Sequence, residues 1–179
     1  MATKLEDHIN NLEISEDFII GDQTFINETI SDYYLGSGIL GTVTFWGMEF
    51  KNIDFSSSNF VNCSFRNCKF YDCTFKKCKF WGPIFENCTI KKCDFLKATF
   101  HTGTFLSCDF LEGDFRIAVF DDIQFIETTF KNSPLKNSIF SSSRVWKSNQ
   151  SILIEENSDL ENLFEDEDNI SNSYQEASN

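Results

Sequence analysis

Residues 62–80 read Asn62-Cys63-Ser64-Phe65-Arg66-Asn67-Cys68-Lys69-Phe70-Tyr71-Asp72-Cys73-Thr74-Phe75-Lys76-Lys77-Cys78-Lys79-Phe80. A phenylalanine returns every fifth residue, and a cysteine stands two residues before each. The intervening positions are mostly polar. A period of five fits neither a straight helix, which repeats at 3.6, nor a straight strand, which repeats at 2, so the chain must turn once per unit. Two inward residues separated by one outward residue make a very short extended segment, and the next two residues make a corner.

The register extends far beyond this stretch. Of the twenty residues numbered by fives from 45 to 140, eighteen are Phe and the others are Ile90 and Leu135. The residue two before each is usually small, and all seven cysteines fall there. Asn recurs at the second residue after the Phe (Asn52, Asn62, Asn67, Asn87, Asn132, Asn137), where its tolerance of left-handed backbone suits a corner. With 20 residues per coil, residues 41–140 make five coils stacked about 4.8 Å apart, a rod roughly 24 Å long. Four phenylalanine columns line its inside.

This unit pattern resembles that of the pentapeptide-repeat family, and the resemblance covers about 100 of the 179 residues. It implies an all-β fold, a right-handed quadrilateral β-helix of four units per coil with small terminal caps. The same register continues more weakly upstream through Ile20, Phe25, Ile30, Leu35 and Leu40, which predicts one degenerate first coil. The expected organisation is an N-terminal cap over 1–20, a solenoid over 21–140 that is regular from 41, a C-terminal cap or short helix over 141–164, and an acidic disordered tail over 165–179. Leu5, Ile9 and Leu12 have the helical spacing of the first cap. Val145, Trp146, Ile152, Leu153 and Ile154 supply apolar cover at the other end, and Ser158 with Glu161 forms a capping box for a helix over 158–164.

The net charge of −13 is not spread along the rod. Residues 1–40 net −7, residues 41–140 net +1 and residues 141–179 net −7. Within the rod, eight bases cluster from Arg66 to Lys97 and six acids from Asp109 to Glu127. Stacking of opposite signs on successive coils explains much of this, as with Asp72, Lys92 and Glu112 on one corner column.

Little in the chain points to catalysis. The two histidines, His8 and His101, have no nucleophile or metal-ligand partner at a recognisable spacing, and no Gly-rich phosphate loop, HExxH or GxSxG element occurs. The cysteines occupy positions where Ala, Ser or Gly substitute elsewhere in the repeat, so they read as core filling, with Cys68, Cys88 and Cys108 on one column. A non-enzymatic protein with no cofactor and no metal is expected. The N-terminus lacks a basic and apolar signal, and no 18-residue apolar run exists, so a cytoplasmic location with reduced thiols and no membrane contact is expected.

Because the repeat spends its regular positions on the core, recognition falls to the outward ones. Trp46, Ile84, Leu106 and Ile126 share one side of the rod, and Val61, Trp81, Val119 and Ile139 another. The candidate partner surface is Trp46, Ile84, Leu106, Ile126, Val61, Trp81, Lys77 and Lys97, and the expected partner is another protein. The resemblance also implies a second reading, a DNA gyrase or topoisomerase modulator or poison-protection protein, and a homodimer through the C-terminal region. DNA-mimicking relatives have a broadly acidic rod whereas this one nets +1, and relatives with projecting loops need insertions that this register never shows. Nucleic-acid binding through 66–97 is a third reading, opposed by the acidic ends.

Overall fold

The computed structural model describes residues 4–11, 18–148 and 150–154. They form a parallel β-solenoid of about six turns with one short helix, Leu5–Asn10. Every unit turns at the second residue after the inward Phe, where the backbone is left-handed. The corner asparagines have φ between 49 and 60°, as their residue type predicts. Lys77, Lys97, Glu112, Thr102 and even Ile117 adopt the same conformation, so position in the coil overrides local preference.

The coil has four faces. Face I stacks Ile19–Gly21, Ile39–Gly41, Asn59–Val61 and Lys79–Trp81, then the first halves of Thr99–Leu106 and Val119–Ile126, then Ile139–Ser141. Face II stacks Thr24–Ile26, Thr44–Trp46, Ser64–Arg66 and Ile84–Glu86, then the second halves of the same two long strands, then Arg144–Lys147. Those two strands turn the corner and join faces I and II into one sheet. Face III runs from Thr29–Ser31 to Thr129–Lys131 as a separate six-stranded sheet. Face IV has only single bridges, Tyr34 to Asp54 to Thr74 to Asp94 to Asp114, and from Phe55 onward a hydrogen-bonded turn follows each unit there, as in Ser58 N–H to Phe55 O at 3.0 Å.

The coil rise spaces the phenylalanine columns. Phe60, Phe80 and Phe100 stack at 4.7 Å with rings 6–8° from parallel, while neighbouring columns meet edge-to-face, as Phe45 and Phe50 do at 80°. Both arrangements suit the ring quadrupole. Ile90, the one interruption between Phe70 and Phe110, is fully buried.

The second inward position proves to be more than filling. Cys78 Sγ lies 2.9 Å from Phe55 O, and Cys63, Cys68 and Cys88 make the corresponding contact at 3.3 Å to Leu40, Phe45 and Phe65. Thr128 and Ser143 hydroxyls donate to the same carbonyl 23 residues earlier, Phe105 and Phe120. Where Cys, Ser or Thr occupies this position its small donor can reach that carbonyl, so these three interchange, while Val43, Met48, Ala98 and Ala118 fill the same position with no such donor.

The ends differ from the regular rod. Strand Ile19–Gly21 already pairs with Ile39–Gly41, so the solenoid begins just inside the expected cap, and helix Leu5–Asn10 buries Leu5 and Ile9 against it. Glu28 and Tyr33 replace small residues in the first coil. Glu28 accepts the Leu5 N–H at 3.1 and 3.3 Å, and Tyr33 Oη reaches Asn10 Oδ1 at 3.3 Å, so both hold the helix. At the other end the register continues past 140 to Val145, which stacks on Phe125. The segment from Arg144 is a hairpin in which Arg144–Lys147 pairs antiparallel with Gln150–Leu153. Leu12, the expected helix at 158–164 and the expected tail at 165–179 lie outside the described residues.

Candidate functional site

Outward side chains stand in ladders at the coil spacing, so each face presents two rows. On face II the leading row is Ile26, Trp46, Arg66, Glu86, Leu106, Ile126 and Trp146, all in register. Trp46 is 45% exposed, while Leu106 and Ile126 are half-buried against their neighbours. The two charges in the row satisfy each other: Arg66 Nε is 3.4 Å from Glu86 Oε2, and its guanidinium lies 6.0 Å from the Trp46 ring centre. Trp146 Nε1 donates to Gln124 Oε1 at 2.7 Å. Ile84 belongs to the parallel second row, beside Thr104 and Ser64. Ile26 and Trp146, the latter expected only as cover for the rod end, extend the row, and each sits 20 residues from a predicted member.

Face I is divided. Val61 and Trp81 are adjacent in one row, and Val119 and Ile139 are adjacent in the other, nearer the C-terminus. The structure therefore does not bring these four together. Trp81 stacks instead on His101 at 4.3 Å, and His101 Nδ1 lies 3.4 Å from Asp121 Oδ2, so the only histidine on the rod serves a surface ladder. Toward the N-terminus, Ile19 and Ile39 are exposed beside Gly21 and Gly41, which have no side chain to cover them. His8 sits edge-on to Phe25, and its Nε2 is buried with no hydrogen-bond partner among the described residues.

The bases and acids of the rod partly pair across coils: Lys76 with Asp94 at 2.9 Å, Lys91 with Glu112 at 3.9 Å, and, within one unit, Arg116 with Asp114 at 2.6 Å. Hydrogen bonds from Arg116 hold the Asp114 carboxyl below the usual carboxylate range. Lys77 and Lys97 stack at one corner and make no ion pair among the described residues.

The cysteines form ladders inside the core. Cys68, Cys88 and Cys108 follow one another at the 20-residue coil spacing on one column, and Cys73 and Cys93 on the next. All seven are free and buried. Burial pushes the Cys63 thiol up to about 11 and the Cys78 thiol up to about 12. These are protonated, unreactive groups. Among the described residues no cluster of three His, Cys, Asp or Glu has a metal-binding arrangement, and no helix is long and apolar enough to cross a membrane.

A protein-family model described as pentapeptide repeats (8 copies) matches residues 49–82. No curated protein matches the chain. Among solved structures, the chain is similar to HetL, a pentapeptide repeat protein involved in heterocyst differentiation regulation from the cyanobacterium Nostoc sp. strain PCC 7120. That likeness has 7% identity and a TM-score of 0.32 and covers 78% of this chain and 92% of HetL. It is also similar to a pentapeptide repeat protein of the cyanobacterium Cyanothece 51142, at 9% identity and a TM-score of 0.33, over 72% of this chain and 91% of that one. A third is full-length QnrB1, a plasmid-mediated fluoroquinolone resistance protein, at 12% identity and a TM-score of 0.29, over 78% and 97%. None of these likenesses bears on function. The matched repeats lie within an unbroken five-residue register that runs on either side of them, so pentapeptide repeats build the regular coils of this chain.

Proposed function

We propose that the rod is a non-enzymatic binding module whose face II meets another protein. The observation that supports this is the leading row of that face, where five of seven ladder positions are large and apolar and the remaining two, Arg66 and Glu86, neutralise each other. Such a row removes apolar surface from water on docking and leaves no unpaired charge behind. Face III, with Glu49, Lys69, Lys91, Asp109 and Lys131 facing out, is the built-in comparison. The test is capture of partners from the native host by the wild-type chain, by Leu106→Asp with Ile126→Asp, and by Lys69→Asp with Lys131→Asp. Binding lost only on changing face II supports the reading, and equal retention by all three overturns it. A gyrase supercoiling and quinolone-protection assay with micromolar protein separates it from topoisomerase modulation, which predicts a direct effect on the enzyme.

A further inference from the structure

The leading row of face II is complementary to itself. From the N-terminal end its rungs read apolar at Ile26 and Trp46, charged at Arg66 and Glu86, and apolar again at Leu106, Ile126 and Trp146. A two-fold axis lying in a face-to-face interface, along the strands and midway between the Arg66 and Glu86 rungs, keeps position across the face and reverses position along the rod. The row therefore meets itself in reverse order. Arg66 faces the partner's Glu86, and Glu86 faces the partner's Arg66. On either side Trp46 faces the partner's Leu106, and Ile26 faces the partner's Ile126.

Charge selects this register from its neighbours. A shift of one rung either way sets Arg66 on the partner's Arg66 or Glu86 on the partner's Glu86. Parallel rods, related by an axis along the rod, would set Arg66 and Glu86 against Ser64 and Ile84 of the second row, with no opposite charge from the partner. In the antiparallel register the pair within each chain, with Arg66 Nε 3.4 Å from Glu86 Oε2, joins its symmetry mate in a ring of four alternating charges. The five guanidinium donors and two carboxylate oxygens can serve both neighbours at once. In the second row Thr44 faces the partner's Thr104 and Ser64 faces the partner's Ile84, and no charge stands there in the six paired rungs. The one like-signed pair across both rows and the flanking corners, Asp22 with the partner's Asp122, falls at the exposed corner beside face I.

Six rungs about 4.8 Å apart and three extended residues across give a flat face of roughly 29 by 10 Å on each rod, at the small end of specific interfaces, so the association depends on concentration. Arg144, on the seventh rung, extends past the paired six toward the partner's capped end, where the helix Leu5–Asn10 carries acids in its first turn. With face II taken as the binding face proposed above, we infer that its partner is a second copy of this chain, docked antiparallel and face to face, with Arg66 and Glu86 paired reciprocally at the two-fold axis. Any other partner of face II must compete with this dimer.

Sedimentation equilibrium of the full chain from about 5 to 500 µM reads the association, and wild type should pass from monomer to dimer over this range. Arg66→Glu makes both central charges of a chain negative, and Glu86→Arg makes both positive. Each variant alone should dimerise about tenfold more weakly than wild type or worse, while an equimolar mixture of the two should recover to within about threefold of it. Recovery in the mixture also shows that both variant chains are folded. A wild type still monomeric at about 500 µM, a dimer that neither variant weakens, or a mixture no tighter than its components overturns the second copy as partner. A dimer indifferent to both variants would place the association elsewhere, as at the C-terminal region. None of these results alters the capture assay with Leu106→Asp and Ile126→Asp, which decides separately whether face II binds a different protein.

Discussion

The left-handed corners lead to a prediction that can be tested in both directions on one column. Asn62 and Thr102 occupy the same corner of face I two coils apart, both at φ +52° and both exposed. Between them Gly82 leaves room for the Asn62 amide, since a Cβ there would lie 2.5 Å from Asn62 Oδ1. The left-handed region costs an L residue about 1–2 kcal/mol, Asn tolerates it best, and a β-branched residue tolerates it worst. Neither side chain contributes core burial, so backbone strain dominates. Thr102→Asn should stabilise the fold by about 1 kcal/mol and Asn62→Thr should destabilise it by about the same amount. At roughly 10 Å separation the two changes should add, so the double exchange should return to wild type within about 0.5 kcal/mol. Urea denaturation followed by far-UV circular dichroism, with an unchanged m-value, reads this directly. In a melt each change should move Tm by about 2–4 °C. If Thr102→Asn is neutral or destabilising while Asn62→Thr is harmless, corner strain is not a term in this protein's stability.

Three further outcomes follow from the core and the cap. Phe80→Ala, at a fully buried ring stacked on two others, should cost about 3–5 kcal/mol by the same denaturation, and Phe80→Leu markedly less. Cys63 and Cys78 are protonated in the fold up to about 11 and 12, whereas an unfolded thiol ionises near 8.5, so stability is intact below about pH 8.5 and falls as pH rises above it. Each should lose about 2 kcal/mol by about pH 10, and the double variant Cys63→Ala with Cys78→Ala should show a flatter profile between about pH 8 and 10 in equilibrium melts. Glu28→Ala removes the carboxylate that accepts the Leu5 N–H, and should speed amide exchange across residues 5–10 several-fold, equivalent to about 1 kcal/mol, while leaving the regular coils unchanged.

The fold was legible because its determinant is local and repeated. Phe at nearly every fifth residue and a mostly small residue two before it specify one unit, and twenty units in one register leave one way to bury the rings. The columns, the coil spacing and the shared column of Cys68, Cys88 and Cys108 therefore came from the sequence residue by residue. Tertiary structure decided everything that depends on what lies one coil above or below. It showed that five of the seven cysteines reach the carbonyl 23 residues earlier, that Glu28 serves the cap helix, and that Val61 and Trp81 are separated from Val119 and Ile139. It also showed that the chain past 140 continues as a strand and hairpin, where the register of phenylalanines had ended. The physical reason is that a solenoid buries its regular positions through spacing alone, whereas its outward side chains acquire partners only when coils stack, and those partners lie about twenty residues away in the chain.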